Sequence, residues 1–163
     1  MTSATAMEIS VDDPLRLDVR GLLQEHLADM YATSPPESVH ALDAHALAVP
    51  GVTFWTLREE GALLGCGALK EIDPAHAEIK SMRTATAARR RGVAARLLDH
   101  LLAEARSRGY ERISLETGSE DFFAPARALY ASRGFSVCGP FEGYAEDPNS
   151  VFMTLELQPQ RRA

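Results

Sequence analysis

Cysteine and histidine are few and scattered in this chain, and that argues against two classes of protein. Cys66 and Cys138 have no metal-type spacing and read as small apolar residues in or beside strands, with a structural disulfide disfavoured. The five histidines form no His-x-x-x-His pair or comparable cluster, so no metal site is expected. No apolar run approaches the roughly 20 residues needed to span a bilayer. The stretch Met1-Thr2-Ser3-Ala4-Thr5-Ala6 lacks the basic and apolar regions of a secretion signal. A cytoplasmic protein without membrane contact is therefore the expectation. An excess of positive charge is missing too: 17 Lys and Arg stand against 23 Asp and Glu, a net charge of -6. A general nucleic-acid binder would carry the opposite sign.

What is present fits one globular domain. The 163 residues are 45% hydrophobic and 25% charged, enough for a single substantial core. Residues 1–6 and 158–163 read as loose ends around a domain spanning 7–157. Residues 7–11 alternate apolar with polar as a strand does. Asp13-Pro14 reads as the cap and first position of a helix whose apolar side carries Leu15, Val19, Leu22, Leu23, Leu27 and Met30. The break Ser34-Pro35-Pro36-Glu37 precedes a short helix over 38–47. Strands follow at 52–58, 63–72 and 77–84, the first two joined at Gly61 as a hairpin and the second interrupted by Gly65 and Gly67. Between 93 and 108, Ala94, Leu97, Leu98, Leu101, Leu102 and Ala105 recur at helical spacing, and Gly109 ends the run. A strand at 113–116, a helix from Pro125 to Gly134, and strands at 135–138 and 151–157 complete the order β-α-α-β-β-β-α-β-α-β-β. The fold class is mixed α/β.

Against the acidic background, Arg89-Arg90-Arg91-Gly92-Val93-Ala94 is a local reversal of sign, placed between a strand and a helix start. The first amides of a helix have no partner within it, and the helix dipole adds partial positive charge there. Three arginines supply further donors for phosphate oxygens, while Gly92 and Ala94 leave space for a ligand to approach the backbone. The bland alternative is a solvated arginine run before an ordinary helix.

That turn, the element order and the segment Ala126-x-x-Leu129-Tyr130-x-x-x-Gly134-Phe135 together resemble the GNAT superfamily of N-acetyltransferases, over nearly the whole chain. Within it, Glu78-Ile79-Lys80-Ser81-Met82-Arg83, Cys138-Gly139-Pro140-Phe141 and the segment from Asp147 to Met153 are similar to a group of small bacterial members. The resemblance implies a GNAT-like fold and an acetyl-CoA site without metal. The pantetheine arm would bond the main chain at Met82 and Thr84, and the diphosphate would rest on Arg89, Arg90, Arg91, Gly92, Val93 and Ala94. Two positions depart from the pattern. Ala94 stands where glycine is common, and Phe123 stands where many members carry an asparagine that helps bind the cofactor arm.

Acetyl transfer to an amine needs a neutral nucleophile, yet a lysine-type amine is neutral in only roughly one molecule in 2,500 at pH 7. A positioned base typically contributes about 10²–10⁴-fold. Glu78, entering the strand that would carry the thioester, is the candidate base, with Glu116 as substitute; the alternative for Glu78 is an exposed strand carboxylate, or one paired with Lys80 or Arg83. Tyr130 is the candidate acid for the leaving thiolate by its match to the family's helix tyrosine, the alternative being an amphipathic core residue. A strand amide near Met82 would meet the oxyanion. By resemblance, the first helix pair and the last hairpin form the acceptor side, where Ser34, Glu37, His40, Tyr144, Asp147 and Asn149 are polar candidates; for any single one of them loop solvation or helix capping is the better explanation. The leading expectation is N-acetylation of a small amine or amino-acid-like acceptor. A noncatalytic acyl-CoA sensor is the alternative from another class, and pairing of the last strands across a homodimer rests on analogy alone.

Overall fold

A computed structural model describes residues 6–36 and 44–157. The elements follow the expected order: β1 (Met7–Val11), α1 (Leu17–Thr33), α2 (Ala44–Leu47), β2 (Val52–Glu59), β3 (Ala62–Asp73), β4 (His76–Thr84), α3 (Val93–Ser107), β5 (Arg112–Gly118), α4 (Ala124–Ser132), β6 (Ser136–Cys138) and β7 (Ser150–Glu156). They form a seven-stranded sheet in the order β1-β2-β3-β4-β5-β7-β6. Every neighbouring pair is antiparallel except β4 and β5, which run parallel and are joined across α3. All but Ala6 of the expected loose ends, and residues 38–43 of the expected short helix, together with the candidates Glu37 and His40, lie outside the described residues.

Local chemistry accounts for most boundaries, including one that differs from expectation. Asp13 does not cap α1. Its carboxylate accepts from the Leu15 amide at 2.9 Å and its carbonyl from the Arg16 amide at 3.1 Å, so Asp-Pro makes a turn and the helix begins at Leu17. The β2–β3 hairpin turns on Glu60 and Gly61, both at positive φ (50° and 82°), as a two-residue turn matched to strand twist requires. Gly65 and Gly67 leave β3 unbroken. A β-carbon at Gly65 would lie 2.7 Å from Val93 Cγ1, and one at Gly67 3.2 Å from Leu101 Cδ1, so the missing side chains let α3 seat directly on the strand.

The pleat divides the sheet into two faces. Leu69, Ala77, Ile79, Ile113, Leu115 and Met153 pack with α3 and α4 on one face, while Phe54, Cys66 and Ala68 pack with α1 and α2 on the other. Helix α3 buries Val93, Leu97, Leu98, Leu101 and Leu102. At about 1.5–3 kcal/mol per large apolar side chain, that face contributes on the order of 10 kcal/mol before entropy is charged against it. Both cysteines are free thiols, and Cys66 is buried.

Two irregularities position the site. The β3–β4 register shifts so that Ser81 and Met82 together face Gly67, a bulge at which Ser81 takes φ 53°. On its other side β4 pairs with β5 only at His76↔Arg112, Ala77↔Ile113 and Glu78↔Ser114; beyond that the two parallel strands separate. Leu101, fully buried where α3 crosses the sheet, tests the packing that supports this geometry. Leu101→Ala is expected to lower the unfolding free energy by about 2–5 kcal/mol in urea titration, with little change in slope.

Candidate active site

Where β4 and β5 part, a cleft of about 590 Å³ opens on the side of the sheet that carries α3 and α4. It runs from Met82 and Tyr130 along Thr84 to Arg89, Arg90 and the first turn of α3, with Gly92, Val93 and Ala94 in its wall. The edge of β4 facing this cleft has no strand partner after Glu78, so its main chain is open to a ligand there.

The α3 terminus is shaped as an anion-binding end. Gly92 occupies the N-cap in the left-handed region (φ 78°), and no side chain caps the helix. A β-carbon at Gly92 would meet nothing within 4 Å, so the glycine is required here by its backbone angle, and the space above it is open. Arg90 also has positive φ, at 65°. The three arginines have different surroundings. Arg89 and Arg90 line the cleft, whereas Arg91 is drawn to Glu59 of β2 through contacts of 2.8 and 2.9 Å and does not line it.

A narrower slot of about 100 Å³ continues between the separated strands toward the opposite face, lined by Glu78, Lys80, Met82, Glu116 and Tyr130. Glu78 is 1% exposed and Lys80 7%. The Tyr144 hydroxyl, from the β6–β7 connection, donates to Glu78 Oε2 at 2.6 Å and accepts from Lys80 Nζ at 2.7 Å; the ammonium lies 3.3 Å from the same carboxylate oxygen. Burial, then the neighbouring Glu78 charge, raises the Tyr144 hydroxyl well above the ordinary tyrosine range. Among the described residues Glu78 Oε1 has no hydrogen-bond partner. Glu116 is held by the Ser150 hydroxyl at 2.7 Å.

Arg83, the alternative partner for Glu78, is carried by the bulge to α1. It meets Glu25 and Asp29, one helical turn apart, at 2.6 Å each. Thr86 donates to the same Glu25 oxygen, and these contacts hold the Glu25 carboxyl below its usual range, the Thr86 bond contributing most. Tyr130 is buried at the junction of cleft and slot, and desolvation pushes its hydroxyl up to about 12. Phe123 lies at the same junction, its ring filling the space over Gly118 where a β-carbon would stand, with Phe122 edge-on to it. Among the remaining acceptor-side candidates, Ser34 bonds Glu120 at 3.1 Å, and Asp147 accepts from the Asn149 amide at 2.8 Å within its own turn.

Sequence reasoning passed over His26, which lines both cavities from α1 four residues before Met30. Its only signal was position: a histidine one turn from a residue on the helix's apolar side. Burial, reinforced by the Arg83 charge, lowers this imidazole from 6.5 to about 4, so it is neutral at pH 7.

The sequence profile of the acetyltransferase (GNAT) family matches residues 19–135. The chain belongs to that family. It is 55% identical over 151 residues to the uncharacterized N-acetyltransferase YsnE of Bacillus subtilis, covering 93% of this chain and 100% of the relative. It is 38% identical to an IAA acetyltransferase of Azospirillum brasilense, covering 91% and 97%. The fold matches a GNAT family acetyltransferase from Elizabethkingia anophelis solved with acetyl-CoA bound (TM-score 0.64, 19% identity, 93% and 98% covered). Membership in a family of acyltransferases makes this GNAT protein an enzyme of acetyl transfer. None of its described helices is long and apolar enough to cross a membrane.

The lowered His26 value has a signed consequence. Between pH 6.5 and 4 the unfolded chain binds a proton at His26 that the folded chain does not, so stability is full above 6.5 and falls as pH drops, by at most about 3 kcal/mol. His26→Gln should flatten the pH dependence of the urea midpoint across that window, where the carboxylates of lowered pKa contribute little.

Proposed function

We propose that the enzyme transfers the acetyl group of acetyl-CoA to the amine of a small molecule by direct attack on the thioester. The observation that carries this reading is the continuity of one path. An uncapped helix start with two flanking arginines, an unpaired strand edge and a buried carboxylate follow one another along the cleft and slot.

The residues present fit acetyl-CoA. The amides of Gly92, Val93 and Ala94 offer donors to the diphosphate, with Arg89 and Arg90 adding charge; Arg91 fixes the turn to β2 through Glu59. Met82 and Thr84 offer main-chain groups to the pantetheine amides, as an added strand would use them. The amide at Met82, in the bulge, would face the thioester oxygen and meet the charge that develops on it. Phe122 and Phe123 supply apolar contact where an asparagine would have bonded the arm.

The narrow slot suits an unhindered amine, which would enter from the Glu78 side of the sheet. Glu78 acts as base and Tyr130 faces the departing sulfur. A tyrosine near 12 is a poor full proton donor to a thiolate whose ordinary pKa is about 8.5, so its contribution is a hydrogen bond to the developing negative charge. The proton that neutralises the thiolate comes from the acetylated nitrogen. A cytoplasmic setting belongs to this reading.

The direct test is release of free thiol from acetyl-CoA against a panel of α-amino acids, alkylamines, arylalkylamines and IAA. Amine-dependent turnover is expected, and cofactor binding without it would sink the reading. In calorimetry, Gly92→Val should weaken acetyl-CoA at least about tenfold, because a branched side chain resists φ 78° and crowds the open corner; unchanged affinity would remove the diphosphate cradle. Tyr130→Phe is expected to lower kcat about ten- to a hundredfold, the worth of a hydrogen bond to a charged group, while cofactor affinity stays within about twofold.

A further inference from the structure

The proposal that follows rests on the reading of Glu78 as the base. A buried carboxylate has two oxygens, and which one is available determines where an amine can be deprotonated. Oε2 of Glu78 is occupied, accepting from the Tyr144 hydroxyl at 2.6 Å with the Lys80 ammonium 3.3 Å away. Oε1 is buried and has no partner among the described residues, although a carboxylate oxygen ordinarily accepts at least one hydrogen bond. Glu78 lines the slot that leads to the thioester position.

The chain of donors has a fixed polarity. Lysine can only donate, so Lys80 donates to the Tyr144 oxygen, and the Tyr144 proton must then point to Glu78. The ring of Tyr144 is braced by Phe141 and Phe152, at centroid distances of 5.2 and 5.6 Å, and the Lys80 ammonium lies 5.5 Å from its centre. The hydroxyl therefore comes from the β6–β7 connection, while both charges it joins come from β4.

We propose that Tyr144 is a positioning residue of the acceptor site: by occupying Oε2 of Glu78 from a clamp on Lys80, it makes Oε1 the oxygen that takes the proton of the incoming ammonium. One N–H bond of the ammonium breaks and one O–H bond forms at Oε1. The electron pair left on nitrogen forms the N–C bond to the thioester carbonyl, the C–S bond breaks, and the departing thiolate takes a second proton from the acylated nitrogen; Glu78 returns its own proton to solvent as product leaves. Tyr144 gains and loses nothing; its role is to hold the carboxylate in one orientation.

Two nucleophiles separate this role from a structural one. The first is the fastest protonated primary amine of the panel above; the second is hydroxylamine, which is already neutral at pH 7.5 and needs no base. Tyr144→Phe keeps the ring packing and is expected to slow acetylation of the primary amine about tenfold or more. Hydroxylamine should stay within about twofold, with KM for acetyl-CoA unchanged. In a Glu78→Gln background the same substitution should add nothing, since the two residues act as one unit. The proposal is overturned if Tyr144→Phe leaves both rates intact, slows both equally, or has its full effect in the Glu78→Gln background. If Glu78→Gln acetylates the primary amine at the wild-type rate, the base assignment fails and this proposal with it. A wild-type protein that binds acetyl-CoA and acetylates neither nucleophile removes the proposed function itself.

Discussion

The separation of two parallel strands is the constraint on which the rest of this structure depends. β5 keeps its pairing with β7 over seven registered positions, from Arg112↔Glu156 to Gly118↔Ser150, while its pairing with β4 ends at Glu78↔Ser114. β4 in turn is bent by the Ser81–Met82 bulge, which matches two residues against Gly67 of β3 and increases local twist. A continuous ladder here would satisfy every backbone group and leave no place for a ligand. The opening instead leaves peptide groups on one edge of β4 exposed to the cleft, and leaves the slot as a passage between the two faces of the sheet.

The two faces then diverge in chemistry. Toward α3 and α4 the walls are apolar, with Leu97, Leu129, Phe123 and Tyr130, and Arg89 and Arg90 put positive charge at the far end. Toward α1 and the β6–β7 connection the pleat places Glu78, Lys80, Ser114 and Glu116, a floor held together by side-chain hydrogen bonds. A long anionic cosubstrate with an apolar reactive end suits the first face, and an amine that must shed a proton suits the second. Arg83, past the bulge, ties α1 to β4 through Glu25 and Asp29.

Much of this was legible in residue order. The period of α3, the hairpin at Glu60-Gly61 and the glycine after the arginines each carry a local physical signal, and each lies where that signal put it. Signals that admitted two local solutions were less reliable. Asp13-Pro14 caps a helix as readily as it makes a turn, and the turn won. Three consecutive arginines are identical in sequence, yet Arg91 is separated from its neighbours by Glu59, a residue brought near only by sheet pairing. Arg83 and Lys80 share a face with Glu78, but Lys80 is its next neighbour on that face while Arg83 lies farther along β4, where Glu25 and Asp29 of α1 take it. Tyr144 and His26 come from distant segments, so nothing in their local pattern announces that they meet β4.

The buried charges on β4 are hard to explain as a source of stability. Moving a carboxylate and an ammonium into the protein costs several kcal/mol each, which a contact of 3.3 Å recovers only when the remaining lone pairs are satisfied. Here one carboxylate oxygen has no partner among the described residues, so the pair is incomplete as a structural device. An apolar pair of similar volume would serve the fold at least as well. The arrangement makes sense if the Oε1 oxygen accepts an N–H of the acceptor during turnover. On the proposed reading, a protonated amine is drawn to that oxygen where the loss of its proton can lead to attack.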